Sequence, residues 1–182
     1  MFISRELRRE NICEYLLYMW EVEALLRYYD LDETRIQKEY VAAFPYEVQL
    51  QEREWLFTMA RRMKAEGLMK KGHLKANNEV LYMLEDYHHD LLSSGKYPHY
   101  TELYNRALPY LLSLRKKGLK DMHEIEICFS ALFQVMFKRI KKEQMDSNTN
   151  LLIESVRDLV KELAFTYRTE GIDAQQAGAP TK

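Results

Sequence analysis

Between Ile12 and Tyr29, apolar side chains recur every three or four residues. Ile12, Tyr15, Met19, Val22, Leu26 and Tyr29 form one unbroken stripe, the period of an α-helix. Cys13, Leu16, Trp20, Ala24 and Tyr28 form a second flank, and only Glu14, Glu21, Glu23 and Arg27 carry charge. A helix apolar over most of its circumference must be covered on several sides. The pattern therefore puts this helix inside a bundle.

The same period recurs along the chain. Helix 1 is predicted from Ser4, as N-cap, to about Tyr29. A short helix 2 follows Asp32 as N-cap, with Ile36, Tyr40 and Phe44 inward, and Pro45 ends it. Helix 3 covers 46–66, with Val48, Trp55, Met59 and Met63 as its stripe. Helix 4 covers 73–94, with Leu74, Leu81, Leu84 and Leu91 toward the core. Helix 5 starts at Pro98, a favoured first position, and reaches Lys117. Pro109 inside it removes one hydrogen bond, so a kink or break is expected there. Helix 6 opens on Asp121 and Glu124, which have the spacing of a capping box. Helix 7 covers 148–169, with Leu152, Val156, Leu159, Leu163 and Tyr167 on one side. All six glycines fall where a stripe ends, as residues following a helix C-cap do. No stretch alternates with period two long enough to predict a strand.

These elements predict an all-α fold. It is a single domain over 1–170, a seven-helix, up-down-like bundle with helices 1 and 6 at its centre. The last stretch, 171–182, has no stripe and is expected to be a disordered tail.

Composition narrows the class further. A chain of 182 residues suits one domain. Its formal net charge of -1 supplies no bulk positive field to recruit nucleic acid or acidic lipid. No apolar run approaches the roughly 20 residues that span a bilayer. The opening MFISRELRRE lacks the apolar core of a signal peptide. A cytoplasmic protein is expected, with Cys13 and Cys128 as buried, reduced thiols.

Four segments carry a resemblance: ELRRENICEYLLYMWEVE, EGLMKKGHL, KYPHY with ALPYLLSLR, and EIEICFSALFQVM. In order and spacing they resemble an uncharacterised bacterial all-helical family of about this chain's length, known only as a domain of unknown function. The resemblance covers roughly 1–167. It implies one helical domain from a bacterial cytoplasm, and no activity, cofactor or catalytic residue.

Candidate chemistry is sparse. Glu85 and His88 in LEDYHHD stand at i, i+3, the Glu-x-x-His spacing of di-iron and di-manganese bundles. His88 follows Leu74 and Leu81 at heptad spacing and is expected to point inward. Asp86 and His89 repeat the spacing on the outward side. Glu14 or Glu21 of helix 1, and His123 or Glu126 of helix 6, are the residues that would complete a metal site. A ferritin-like centre needs two such pairs, and the chain has one. The competing reading is a half-buried His88 hydrogen-bonded to Glu85 or to a backbone carbonyl. Glu14 and Glu21, with Tyr18 between them, share a face. They suit an acid/base pair or, more simply, the one edge of the helix that reaches water. Glu23 and Arg27 read as an ordinary surface i, i+4 pair.

Basic residues cluster at three helix ends. The clusters are Arg61, Arg62, Lys64, Lys70 and Lys71; Arg115, Lys116, Lys117 and Lys120; and Lys138, Arg139, Lys141 and Lys142. The helix dipole favours cations there without any ligand, and no nucleic-acid motif accompanies them. Tyr97, Tyr100 and Tyr104 are expected at a core margin on one face of helix 5.

The sequence thus leads to a non-enzymatic interaction, regulatory or self-associating module. It assigns no catalytic residue, no cofactor and no metal ligand. The expected partner is another protein or a second copy of the chain, with no membrane and no nucleic acid. The alternatives are a metal-binding bundle using Glu85 and His88, and an anion- or RNA-binding helical protein using the ends of helices 3 and 5.

Overall fold

Asn11 divides the long N-terminal helix in two, giving α1 (Phe2–Glu10) and α2 (Ile12–Tyr28). The computed structural model describes residues 2–142, 144 and 147–177, and no strand occurs among them. A single turn, α3 (Glu33–Arg35), continues into a π-helical turn (Ile36–Tyr40) and a 3-10 turn (Val41–Ala43). Then come α4 (Tyr46–Ala65), α5 (Lys75–Ser93), α6 (Pro98–Lys116), α7 (Glu124–Ile140) and α8 (Ser147–Ala177). The chain divides into two compact units. The first holds the chain to Glu10 and Glu14–Val80, the second Asn11–Cys13 and the chain from Leu81 onward.

The all-helical class stands, but the predicted seven-helix arrangement does not. Eight α-helices occur among the described residues, because the first predicted helix is two. Ser4 is not an N-cap: it lies buried within α1. The predicted second helix is a chain of three unlike turns. Ile36 and Val41 explain why: both are fully buried, although five residues apart. In a regular α-helix that spacing puts them about 140° apart. The widened π turn carries both into the core.

In the first unit, Leu16, Trp20, Leu26, Leu56 and Met63 are buried together with Leu31. Asp30 and Leu31 both take positive φ, at 55° and 57°, and the Leu31 N–H bonds to the Leu26 carbonyl at 2.9 Å. A left-handed leucine costs energy, which complete burial of its side chain offsets. Asp32 caps α3 as predicted, its carboxylate accepting the Arg35 N–H at 2.8 Å.

In the second unit, α8 packs most extensively against α6 and then against α7. Val156, Leu159 and Leu163 supply the buried face of α8, opposite a core that includes Tyr100, Leu111 and Phe129. α6 runs through Pro109 as one helix, with Pro98 in its first turn. α8 extends to Ala177, past Gly171, where the sequence pattern places the start of a tail. A glycine within a helix costs only about 1 kcal/mol relative to alanine, and the alanines and glutamines that follow are adequate helix formers. Residues 178–182 of the predicted tail lie outside the described residues.

Candidate functional site

His88 points inward, as its heptad position predicts, and Glu85 beside it is buried as well. Glu85 does not face a metal position. Its two oxygens accept the backbone N–H groups of Glu124 at 3.2 Å and Ile125 at 2.8 Å. These are orphan donors at the start of α7. The expected Asp121–Glu124 capping box is therefore replaced. The N-cap position is His123, whose side chain makes no capping bond, and Glu85 supplies the cap from α5.

His88 bridges two partners. Its Nδ1 lies 2.6 Å from the Tyr100 hydroxyl and its Nε2 3.4 Å from a Glu124 oxygen. With the ring proton on Nε2, His88 donates to Glu124 and accepts from Tyr100. Burial holds the Tyr100 hydroxyl far above its ordinary pKa, so it remains a donor. Hydrogen bonds from His88 and then Tyr104, with Arg115 nearby, hold the Glu124 carboxyl below the usual carboxylate range against the opposing effect of burial. Burial drives the Cys128 thiol up, which makes it an inert core group rather than a nucleophile.

The other residues weighed for a metal do not join this cluster. Asp86 is exposed, and His89 stands at the surface with Nε2 3.3 Å from Glu85. His123 packs edge-on against Tyr82, and Glu126 is half-buried on α7. Glu14 and Glu21 belong to the first unit. Among the described residues, no group of three or more His, Cys, Asp or Glu is placed to hold a metal ion.

A second buried carboxylate, Glu23, overturns its reading as a surface ion pair. It is fully buried. Oε1 accepts the Leu74 N–H at 2.9 Å and the Asn77 side-chain amide at 2.6 Å, while Oε2 lies 2.6 Å from His73 Nδ1. Glu23 thus closes the start of α5. His73 stacks on Trp20 with centroids 3.9 Å apart. Arg27 donates to the carbonyls of Leu68 and Gly72 instead of pairing on the surface. Together, Glu23 and Arg27 clamp the turn that joins α4 to α5. Gly72 in this turn has φ of +88°, and a Cβ there would meet Leu68 at 3.0 Å. The signal for Glu23 was present. It lies seven residues after Leu16 and three after Trp20, on a flank that is otherwise core.

An accessible concavity lies elsewhere in the first unit. A groove of about 300 Å³ opens among α1, α2, α4 and the turns after α3. Val22, Leu25, Phe44 and Leu56 give it an apolar lining, and Glu21 and Glu52 with Tyr18 and Tyr40 make its polar edge. Desolvation raises the Glu21 carboxyl. Burial, reinforced by the charge of Glu52, lifts Tyr18 to about 12, and the same two causes raise Tyr40. Trp55 stacks against Tyr18. Sequence periodicity placed Glu21 beside Tyr18. Tyr40 reads from the sequence only as an inward residue of the predicted second helix, and nothing in the sequence singles out Glu52, because both come from other elements.

The family described as "Domain of unknown function (DUF4924)" matches residues 1–173. The chain belongs to that family. No curated protein and no solved structure matches it.

Membership in the DUF4924 family fixes no site, so geometry alone ranks the remaining candidates. Cluster 61–71 belongs to the first unit, and clusters 115–120 and 138–142 to the second. Arg61 is held by both oxygens of Glu33, at 2.7 and 2.9 Å, and Arg115 lies 3.5 Å from Glu124. Of the predicted tyrosine face, Tyr100 is core, Tyr104 bonds Glu124, and Tyr97 donates to Glu170.

Proposed function

We propose that this protein works by binding rather than by chemistry, as a non-enzymatic cytoplasmic module whose working surface is the groove of the first unit. The observation that carries this reading is the contrast between its buried and accessible acids. Glu85 and Glu23, the deepest carboxylates, are engaged as caps of α7 and α5. Glu21 instead edges an open, largely apolar concavity of about 300 Å³, the lower end of the range of small-molecule sites. The cytoplasmic part of the reading is supported by two free, buried cysteines, and by the lack, among the described residues, of any helix long and apolar enough to cross a membrane.

The test is titration with Nile red, a neutral dye whose emission shifts to the blue in an apolar site. The expected result is saturable binding that Leu25→Trp, which fills the groove, abolishes while the protein stays folded. No saturable binding, or binding that Leu25→Trp leaves unchanged, would overturn the proposal.

A further inference from the structure

Two basic clusters meet at one small cleft in the second unit. Leu114 and Leu119 flank the cations of cluster 115–120, and Lys138 opens cluster 138–142. All three line a cleft of about 50 Å³ together with Thr149, near the start of α8. From 112 to 142 the chain has eight lysines and arginines against three carboxylates, Asp121, Glu124 and Glu126. The overall charge of -1 conceals this local excess. Every cation of the two clusters except Arg115 is fully at the surface. Apolar side chains stand exposed among them. Ile140 and Leu151 are 68% and 70% exposed, and Leu112 and Phe137 also reach solvent. Leu112 shares a helix face with Lys116, and Phe137 shares one with Ile140 and Lys141. The helix dipole accounts for cations in a last turn. It does not account for apolar groups exposed beside them, nor for Lys142 beyond the end of α7.

We infer that this end of the second unit docks on the surface of a membrane rich in anionic phospholipid. It lies on the bilayer and does not span it. The lysines and arginines would sit at the level of the lipid phosphates, while Ile140, Leu151 and Leu112 enter the boundary of the acyl chains. Cations and exposed apolar groups on one surface are what hold a peripheral protein in the interface plane. The long stems of lysine and arginine let their charges stay among the headgroups while neighbouring apolar groups sink deeper. Each cation close to such a surface contributes about fivefold in affinity. Other occupants fit less well. A second copy meeting this one through the same face would set cation against cation. A nucleic acid would satisfy the cations, but aliphatic Ile140 and Leu151 offer its bases no stacking platform. The inference uses no residue of the groove and goes beyond that reading.

The experiment is co-sedimentation of the full chain with phosphatidylcholine vesicles, made with and without phosphatidylglycerol. Binding is expected only where phosphatidylglycerol is present, and it should weaken as salt rises. Ile140→Ser should lower the affinity about tenfold and leave the salt dependence as it is. Lys141→Gln combined with Lys142→Gln should lower it about 20-fold and flatten the salt dependence. All three side chains are exposed, so both variants are expected to fold, which circular dichroism checks. No binding to the anionic vesicles, or equal binding to the neutral ones, would overturn the inference. So would an affinity that both variants leave unchanged. A single-stranded oligonucleotide tests for a general polyanion site. If it binds as tightly as the anionic vesicles, and Ile140→Ser does not weaken vesicle binding, the surface recognises polyanions and the lipid assignment falls.

Discussion

Glu85 holds the first turn of α7 from another helix: its Oε2 accepts the Ile125 N–H at 2.8 Å, across 40 residues of chain. Removing the carboxylate would leave two buried amide donors without an acceptor. Glu85→Ala is expected to cost about 1–3 kcal/mol, the usual penalty for orphaned buried donors. Glu85→Gln should cost less, since its amide oxygen keeps one bond. Urea titration of the two variants checks this, and equal losses would mean that the cap contributes no more than packing.

His88→Ala is expected to lower stability by about 1–3 kcal/mol, from a small cavity and the orphaned Tyr100 hydroxyl. Added zinc or iron should leave the melting temperature of the wild type unchanged, because a ligand bound only by the folded state would raise it. Stoichiometric metal in protein purified without added metal, and lost from both His88→Ala and Glu85→Ala, would overturn the structural assignment.

Met19 and Trp20 are both buried mid-way along α2. Met19→Ala should therefore cost about 2–5 kcal/mol. A loss under about 1 kcal/mol in denaturant titration would contradict burial of this face.

The lowered pKa of Glu124, caused first by its hydrogen bond to His88, makes stability depend on acid. A carboxyl with a folded-state pKa below its unfolded value stabilises fully above the ordinary carboxylate range. That contribution disappears as the pH falls through the lowered folded value. Glu124→Gln should remove this dependence. Its stability relative to wild type should improve steadily as acid is added below the ordinary carboxylate pKa. Unfolding measured over a pH series reads the difference directly, and parallel curves would count against the assignment.

Much of the fold was legible because helix cores repeat with a fixed period. Leu74, Leu81, Leu84 and Leu91 are all buried, as their spacing predicts. What escaped was set by contacts between distant segments. Glu23 lies on a flank of α2 that is otherwise core, but nothing local shows that its carboxylate closes the start of α5, 51 residues along the chain. Nor does any local pattern announce a π turn that aligns Ile36 with Val41. The groove was half visible: Tyr18 and Glu21 share one helix, while Tyr40 and Glu52 meet them only in the folded chain.

Asp121 and Glu124 retain the spacing of a local capping box, yet α7 starts at Glu124 and takes its cap from Glu85. The segment thus has two competing start points. A free peptide spanning 119–142 has only the local one, so its nascent helix should begin at Asp121. Docking against α5 would then unwind that first turn and hand the amides of Glu124 and Ile125 to Glu85. In this stretch the helix boundary would then be decided by assembly rather than by the local sequence. A peptide helix whose NMR shifts already begin at Glu124 would show that the boundary is encoded locally after all.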